Sequence, residues 1–391
     1  MLIAAARIIT AVRPARGAAA VLAPGYVTCE NGQITSVGSG PAPGRADVRL
    51  GDGILLPGLV DIQVNGCYGV ELAAADRAGW AAVARRLPET GTTAFIPTFI
   101  TAPVEATVAA LRRTADFLPE LAETAGTARV LGIHLEGPFI SAKRTGAHNP
   151  AWIASPDPAV VSALLAAGSG HVRVMTLAPE LDGAMIVIKQ LAAAGVLVGV
   201  GHSDATAAQV SAAARCGARL VTHLFNAQRP LHHRDPGVVG QALADTRLVA
   251  SLIADLHHVA GQVAAIAFTA APGRICLISD AAACAGMPPG HYLLGGEPIE
   301  LAEGDGTPPV RADGTLAGSA LRMDAAVANM VAAGIGVADA VAAATRIPAD
   351  LLGRPDLGRI APGASADLTW LSDDLRTRAT WVAGRLVYGH V

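Results

Sequence analysis

Residues 132–140, GIHLEGPFI, give the first indication of how this chain folds. The first half of the stretch is rich in apolar β-forming residues, whereas the Gly137-Pro138 pair cannot continue a strand ladder. The pattern predicts a buried strand that ends just after Glu136. Because a buried carboxylate is costly unless a positive charge meets it, Glu136 indicates a nearby cation.

Two later apolar segments also end in ionisable residues, namely 196–202 in His202 and 220–223 in His223. One carboxylate and two imidazoles are suitable ligands for a divalent metal such as Zn²⁺, with a position left open for water. Such a metal lowers the pKa of bound water to roughly 7. A single histidine at a strand end is more often a hydrogen-bonded core residue, but the recurrence of polar strand ends favours a metal site.

Strand-like and Ala-rich helical segments alternate through the middle of the chain. Strands are predicted at 54–64, 92–99, 129–135, 172–177, 196–201, 220–225, 248–253 and 275–279. Helices are predicted at 77–87, 104–118, 159–167, 183–194, 205–214, 261–270, 323–333 and 337–344. This alternation indicates an α/β fold of the (β/α)8 TIM-like barrel type. The alternative, a doubly wound open sheet, normally carries a Gly-rich phosphate turn after its first strand, and the sequence has none there.

Both ends of the chain contain short β-like pieces separated by Gly and Pro. We expect them to pair into a small β-sandwich domain made of 1–56 with 362–391, because domain termini tend to lie close together. The catalytic barrel would then span 57–361. The Gly- and Pro-rich segment at about 286–316 is interpreted as a β-hairpin insertion after the eighth strand, with a plain surface loop as the alternative.

Composition excludes several classes of function. With 391 residues, of which 52% are hydrophobic and 16% charged, the chain can bury a large core. The formal net charge of −3 and the lack of a basic block give no support to nucleic-acid binding or a polybasic membrane anchor. Five cysteines without a C-x-x-C pair argue against a disulfide framework or a thiolate zinc site. We expect a cytoplasmic protein with no signal peptide or membrane span.

Barrel active sites form at the C-terminal ends of the strands, and further polar residues follow the predicted strands. Asp280 is the predicted general base, with a helix N-cap as its alternative role. His148 follows Glu136 in a loop with two cations and is a candidate to polarise a carbonyl. The loop after the sixth strand contains Arg229, His232, His233 and Arg234. Because arginine offers a planar fork of donors, that loop suits a phosphate or a carboxylate.

Taken together, these motifs resemble the N-acetylglucosamine-6-phosphate deacetylases of the amidohydrolase superfamily. The resemblance covers nearly the whole chain and rests on PGLVDIQVNG (57–66), HLEGPF (134–139), GAHNP (146–150), LAPE (177–180), GHS (201–203), THLFNA (222–227), IAD (253–255), SDA (279–281) and GTLAGS (314–319).

The resemblance implies metal-dependent hydrolysis of the acetamide of N-acetylglucosamine 6-phosphate to glucosamine 6-phosphate and acetate, in amino-sugar catabolism and cell-wall recycling. It implies metal ligation by Glu136, His202 and His223. It also implies Asp280 and His148 as the catalytic residues. The substrate-binding residues that it implies are Gln63, His148, Asn226, Ala227, Arg234, His258 and Leu316. Members are typically homodimers, in which Arg234 and His258 are expected to reach the neighbouring subunit's site.

The chain departs from the wider superfamily at two places. Gln63 and Asn65 stand where many amidohydrolases carry His-x-His. Since amides are poorer ligands than imidazole, one divalent metal per subunit is predicted, with Zn²⁺ first and Fe²⁺, Co²⁺ or Mn²⁺ as alternatives. After the seventh strand two histidines are adjacent, and the positional match favours His258 over His257 as the residue that contacts substrate.

Two kinds of alternative function stay open at the level of sequence. The nearer one is deacetylation of N-acetylgalactosamine 6-phosphate or of another N-acyl substrate. The other is a non-catalytic barrel that only binds sugar phosphates. His134, two residues before Glu136, is interpreted as a supporting residue.

Overall fold

The computed structural model describes residues 1–12, 21–122, 124–304 and 306–391. Parts of the predicted terminal sandwich (13–20) and of the predicted insertion (305) lie outside these ranges. The strands are β1 Leu2–Ala5, β2 Ile8–Ile9, β3 Val21–Leu22, β4 Gly25–Glu30, β5 Gln33–Ser39, β6 Val48–Leu50, β7 Ile54–Pro57, β8 Leu59–Val64, β9 Gly66–Cys67, β10 Val70–Glu71, β11 Thr92–Ile100, β12 Arg129–Val130, β13 Ile133–Glu136, β14 Val172–Leu177, β15 Leu197–Val200, β16 Leu220–Val221, β17 Val249–Ile253, β18 Ile275–Ile278, β19 Gly290–Leu294, β20 Glu297–Leu301, β21 Leu368–Leu371, β22 Thr377–Val382 and β23 Arg385–Gly389. The helices are α1 Arg77–Arg86, α2 Val104–Ala122, α3 Pro158–Ala167, α4 Ala184–Ala193, α5 Ala207–Cys216, α6 Gly237–Ala244, α7 Gly261–Ala270, α8 Met323–Ala332, α9 Val337–Ala344 and α10 Arg346–Leu351.

Eight strands form a nearly closed parallel barrel in the order β8, β11, β13, β14, β15, β16, β17 and β18. Between β18 and β8 short contacts replace a full ladder. The backbone N–H of Asp280 donates to the carbonyl of Gln63 at 3.0 Å, and Val64 bridges Ala281. Helices separate most of the consecutive barrel strands. The predicted (β/α)8 TIM-like barrel is therefore confirmed.

Two further sheets are built from the ends of the chain. One has the strand order β5-β4-β1-β6, and the other has the order β23-β22-β21-β7-β2-β3. A hydrophobic cluster distinct from the barrel core includes Ile3, Leu55, Ile360 and Trp381, which come from both ends. Sheets at the termini are thus present as expected. The division into 1–56 with 362–391 and 57–361 stays a prediction, and β7 extends across the first of these bounds.

The structure corrects two predicted strands. The segment 54–64 contains two strands, β7 in a terminal sheet and β8 in the barrel. They are separated at Gly58, where a Cβ atom would lie 2.0 Å from Oγ1 of Thr93. The segment 129–135 is likewise divided into β12 and β13, with Gly132 at φ 137° between them. Both were predicted as single strands because an apolar run does not show where the pairing is interrupted. In the first case the halves join different sheets, whereas β12 and β13 both pair with β11.

Two helices were not predicted, and both are short and contain or follow a proline. Helix α6 is only 8 residues long and begins at Gly237, directly after Pro236. Helix α10 has 6 residues and contains Pro348. The helices that were predicted are present, with ends displaced by a few residues. Their starts follow local rules, as where Thr206 and Gln209 form a capping box at α5.

Strands β19 and β20 follow the eighth barrel strand and pair in an antiparallel hairpin. Leu294 and Ile299 of this hairpin pack with Ala282 and Ala317 in a small cluster of buried side chains. In the part of the chain that the structure describes, no helix combines the length and apolar character needed to cross a membrane.

Candidate active site

Three of the predicted site residues have unusual backbone conformations directly after their strands. His202, His223 and Asp280 have φ values of 48°, 34° and 51°. Residues other than Gly rarely adopt this left-handed region, which costs of order 1–3 kcal/mol per residue and is concentrated at functional sites. The barrel thus keeps three strained residues at the carboxyl ends of its strands, where sites of this fold form.

Glu136 lies at the end of β13 and is the centre of the polar cluster. Its Oε1 lies 2.7 Å from Nε2 of His223 and 3.2 Å from Nε2 of His202. Its Oε2 lies 3.1 Å from Nε2 of Gln63 and 4.0 Å from Nε2 of His148. Burial works against the charge of Glu136, but its hydrogen bonds with His202 and His223 hold the pKa of its carboxyl well below the ordinary value.

The chemistry of His202 shows that the cluster fits a cation. Nδ1 of His202 lies 2.9 Å from the carbonyl oxygen of Arg144, which can only accept, so Nδ1 carries a proton. In the neutral ring Nε2 then has no proton, and its lone pair faces the carboxylate oxygen Oε1 of Glu136 at 3.2 Å. Either a second proton on the ring or a metal ion must supply positive charge there. Ligand atoms of Glu136, His148 and His202 lie within 4.8 Å of one another, as a metal site requires.

His223 is the third predicted ligand, and it lies against the same oxygen of Glu136 as His202. The two imidazole rings meet nearly edge to face, with centroids 4.9 Å apart. Nδ1 of His223 is buried without a hydrogen-bond partner among the described residues. The predicted ligand set Glu136, His202 and His223 is therefore brought together, with His148 beside it.

Asp280 follows β18 and faces the cluster through two amides. Its Oδ1 accepts from Nδ2 of Asn65 at 2.8 Å and from Nε2 of Gln63 at 3.1 Å. Burial, and after it the charge of Glu136, raise the pKa of Asp280 to about 6. A carboxylate with a raised pKa suits a general base at neutral pH. Helix N-capping, the alternative role, does not fit because α8 begins only at Met323.

His148 is buried beside His202, with ring centroids 4.2 Å apart. The backbone N–H of Thr101 donates to its Nδ1 at 3.3 Å. Burial, and then the neighbouring His202, lower the pKa of His148 well below its ordinary value, so that the ring is neutral. Nδ1 also lies 2.7 Å from Oγ1 of Thr101, and that hydroxyl donates to the carbonyl oxygen of Glu136 at 3.1 Å. Thr101 thus fixes the orientation of the ring, and Nε2 faces the cluster at 4.0 Å from Oε2 of Glu136.

The two histidines after β17 have different environments. The side chain of His258 is only 5% exposed, and its Nδ1 lies 2.6 Å from Oδ2 of Asp255. His257 is exposed, although its backbone N–H also donates to Asp255. The structure therefore brings His258 into the site and leaves His257 outside it.

A cavity of about 190 Å³ lies over the cluster. The predicted residues that line it are Glu136, His148, His202, His223, Asn226, Ala227, His258, Asp280 and Leu316. Gln63 is buried behind the cavity, where it bridges the carboxylates of Glu136 and Asp280. Arg234 is exposed in the turn after β16 and does not line the cavity of this chain.

Two further polar residues lie beneath the site: His134, interpreted from the sequence as a supporting residue, and Asp61, to which the sequence assigned no role. His134 lies deeper in the barrel, where its Nε2 is 2.8 Å from Oγ1 of Thr176, and burial lowers its pKa to about 4. Asp61 lies where β8 approaches β18, and its Oδ1 accepts from the backbone N–H groups of Gln63 at 3.3 Å and Ser279 at 3.2 Å. Burial raises the pKa of Asp61 to about 7. The only sequence signal for such residues was polarity within an otherwise apolar strand.

The fold and this cluster together are typical of metal-dependent hydrolases built on a (β/α)8 barrel. The chain belongs to the amidohydrolase family, whose model matches residues 54–387. Members of this family are metal-dependent, and the cluster around Glu136 is a possible metal site.

The chain is also similar to individual deacetylases whose substrates are named. The chain is 40% identical to N-acetylglucosamine-6-phosphate deacetylase of Bos taurus, over 86% of this chain and 83% of the relative. It is 38% identical to N-acetylgalactosamine-6-phosphate deacetylase of Escherichia coli O157:H7, over 85% of this chain and 87% of the relative. A mutant N-acetyl-D-glucosamine-6-phosphate deacetylase from Mycobacterium smegmatis, solved in complex with N-acetyl-D-glucosamine-6-phosphate, is 35% identical. It superposes with a TM-score of 0.91 and covers 99% of both chains.

Proposed function

We propose that this chain hydrolyses the N-acetyl group of N-acetylglucosamine 6-phosphate, giving glucosamine 6-phosphate and acetate. The observation that carries the proposal is Asp280, a buried carboxylate with a raised pKa that lines the same cavity as Glu136, His202 and His223. A protein that only binds sugar phosphates has no need for a base beside a cation site. The similarity to the named deacetylases supports the choice of substrate.

Glu136, His202 and His223 would hold one divalent metal ion, for which Zn²⁺ is the first choice. When bound, such an ion polarises an amide carbonyl and lowers the pKa of water. Gln63 and Asn65 donate to Asp280 instead of offering imidazole nitrogen atoms, so we expect a single tightly held ion.

Asp280 would move the proton that the reaction requires. As a carboxylate it accepts the proton of the attacking water while the water oxygen bonds to the acetyl carbon. It then returns that proton to the sugar nitrogen as the C–N bond breaks, which releases the neutral amine and acetic acid. The acid gives up its remaining proton to solvent at neutral pH and becomes acetate. The amide donors of Gln63 and Asn65 fix Oδ1 and hold the carboxyl group in place during both transfers.

His148 would stabilise the charge that develops on the acetyl oxygen. With a proton on Nε2 the ring can donate to that oxygen, and the contacts of Nδ1 with the backbone N–H and Oγ1 of Thr101 hold the ring in place. Preorganised donors of this kind are often worth about 10²–10³ in rate.

The phosphate would lie at the other end of the cavity, against Asn226, the backbone N–H of Ala227 and Arg234. Arg234 is exposed and outside the cavity of its own chain. We therefore propose a homodimer in which Arg234 completes the site of the neighbouring subunit. His258, for which the resemblance implies the same, lines the cavity of its own chain. Leu316 lines the cavity and would contact the sugar.

Acetate release from a panel of N-acetylated sugars, with and without a chelator, tests the proposal. The expected result is chelator-sensitive release from N-acetylglucosamine 6-phosphate and much slower release from N-acetylglucosamine. Faster release of acetate from N-acetylgalactosamine 6-phosphate would instead favour that sugar as the substrate. The Escherichia coli relative is named as a deacetylase of this sugar phosphate. Binding of the sugar phosphates by the metal-loaded protein without acetate release would support the non-catalytic alternative.

A further inference from the structure

The hairpin of β19 and β20 forms one wall of the candidate active site. Leu294 is 5% exposed, lines the cavity, and packs with Ile299 in the small cluster beneath the hairpin. The tip of the hairpin is fastened separately, because the backbone N–H of Gly295 donates to Oε1 of Glu71 at 2.5 Å. The hairpin is therefore held at a defined place over the cavity.

Glu297, the first residue of β20, connects this hairpin to the loop that carries His148. Nδ2 of Asn149 donates to Oε1 of Glu297 at 2.8 Å. The other carboxylate oxygen lies 3.5 Å from Nη2 of Arg311. One carboxylate thus has a partner in the sequence neighbour of His148 and a second partner in the segment that follows the hairpin.

Arg311 extends the connection to the other side of His148. Its Nη1 donates to the carbonyl oxygen of Ala147 at 2.9 Å. The residues before and after His148 are consequently both tied to Glu297, one directly and one through Arg311. The segment between β13 and the turn at Pro150–Trp152 contains no helix or strand, so such ties strongly affect where the imidazole lies.

We propose that Glu297 is a positioning residue that couples the docked hairpin to His148 and holds its Nε2 toward the reacting acetamide. The proposal rests on the proposed function for the role of His148 in the reaction. Glu297 itself does not line the cavity, so it acts through Asn149 and Arg311 and not by contact with substrate.

The ion pair between Glu297 and Arg311 is expected to contribute little to the stability of the fold. The side chains of Arg311 and Glu297 are 24% and 27% exposed, and partly exposed ion pairs contribute little to folding. The same ion pair can matter much more for the position of His148, because a small displacement of a catalytic group can reduce the rate strongly. Loss of Glu297 should therefore affect turnover without unfolding the protein.

The test compares Glu297→Ala and Glu297→Gln with the matched control Glu300→Ala. Glu300 is an exposed glutamate of the same strand, and its side chain has no hydrogen-bond or ion-pair partner among the residues that the structure describes. Glu297→Ala should lower kcat about tenfold with KM changed less than about twofold. Glu297→Gln keeps an acceptor for Asn149, and it should recover part of that loss. An unchanged kcat in Glu297→Ala, or an equal loss in Glu300→Ala, would overturn the proposal.

A second measurement separates this proposal from the proposed function. The imidazole ¹⁵N signals of His148 can be recorded in the metal-loaded protein without substrate. They should change in both Glu297 variants and stay as in the wild type in Glu300→Ala. Unchanged signals in the Glu297 variants would refute the coupling even if the enzyme is active. Failure of the wild type to release acetate would refute the proposed function while leaving the coupling testable by these signals.

Discussion

Two parts of the site differ in how far a single chain buries and orders them. One is the floor, made of Gln63, Glu136, His202, His223 and Asp280, and the other is the 226–235 loop. Every floor residue is buried, and every one makes a polar contact with another member of the floor. The 226–235 loop lines the cavity at Asn226 and Ala227, but its Leu231 is 54% exposed and its Arg234 is exposed as well. The groups proposed for the chemical step are preorganised in a single chain, whereas those proposed for the phosphate are not.

This difference indicates that turnover and phosphate affinity are separable properties. The floor is built at and just beyond the ends of paired strands, where His202, His223 and Asp280 adopt left-handed conformations. The 226–235 loop depends on its own turns and on whatever covers it. Substitutions in the floor should therefore lower kcat, and substitutions in the loop should act on binding of the phosphorylated substrate.

The largest effect is expected from Asp280→Asn, which removes the proposed base from the floor and keeps an oxygen for the amides of Gln63 and Asn65. We expect kcat to fall by about 10³, in the usual range for loss of a general base, with metal content unchanged. The measurement is steady-state turnover together with elemental analysis. Asp313→Asn, at an exposed carboxylate that also caps a local turn, is the matched control. Near-normal turnover in a metal-loaded Asp280→Asn protein would remove Asp280 from the mechanism.

A smaller effect is expected from Arg234→Ala, which tests the 226–235 loop. We expect kcat/KM to fall roughly 10- to 100-fold for the phosphorylated substrate, because a charge-assisted contact is lost. The value for unphosphorylated N-acetylglucosamine should not change, and this substrate is the internal control.

Mixing subunits sharpens the same prediction. If Arg234 acts across a dimer, heterodimers of Asp280→Asn and Arg234→Ala subunits contain one complete site and regain activity. No recovery in heterodimers would mean that Arg234 acts within its own chain or not at all. An equal loss for both substrates would contradict its assignment to the phosphate.

The protonation of Asp280 gives a third, more modest test of the floor. Burial, followed by the charge of Glu136, raises its pKa to about 6 in the protein without metal. Since the base must be ionised, activity should fall as pH falls through the pKa of Asp280. A bound cation favours the carboxylate, so adding Zn²⁺ should lower that pKa. Carboxyl ¹³C titration of Asp280 with and without metal measures both values. A metal-free pKa near that of an exposed aspartate would contradict the assigned environment.

The smallest effect on activity is expected from Asp61→Asn, beneath the floor. Burial raises the pKa of Asp61 to about 7, above its value in the unfolded chain. The folded state therefore binds the proton more tightly, and the stability that this carboxyl contributes is lost as pH rises between about 4 and 7. Relative to the wild type, Asp61→Asn should gain free energy of unfolding between about pH 5 and pH 8. Denaturant unfolding at both pH values measures this, with exposed Asp116→Asn as the control. A constant difference between variant and wild type would show that Asp61 is ionised in the folded protein at both pH values.

The floor was easier to predict from sequence than the rest of the site. Glu136, His202, His223 and Asp280 follow apolar runs, and a barrel brings the ends of its parallel strands to one rim. That His258 and not His257 lies at the cavity was visible only in the structure, where His258 also contacts Asp255. The role of Gln63 also required the structure, because its contacts with Glu136 and Asp280 join strands that are far apart in the chain.

The order of apolar and polar residues alone was enough to predict the barrel, the sheets at both termini and the polar strand ends, because strand and helix periodicity are local properties. It was not enough to divide 54–64 between two sheets or to find helices α6 and α10. Nor did it reveal the left-handed residues at the floor or the ties that join Glu297 to the His148 loop. Those features depend on contacts between residues distant in sequence, and such contacts exist only once the strands have closed into a barrel.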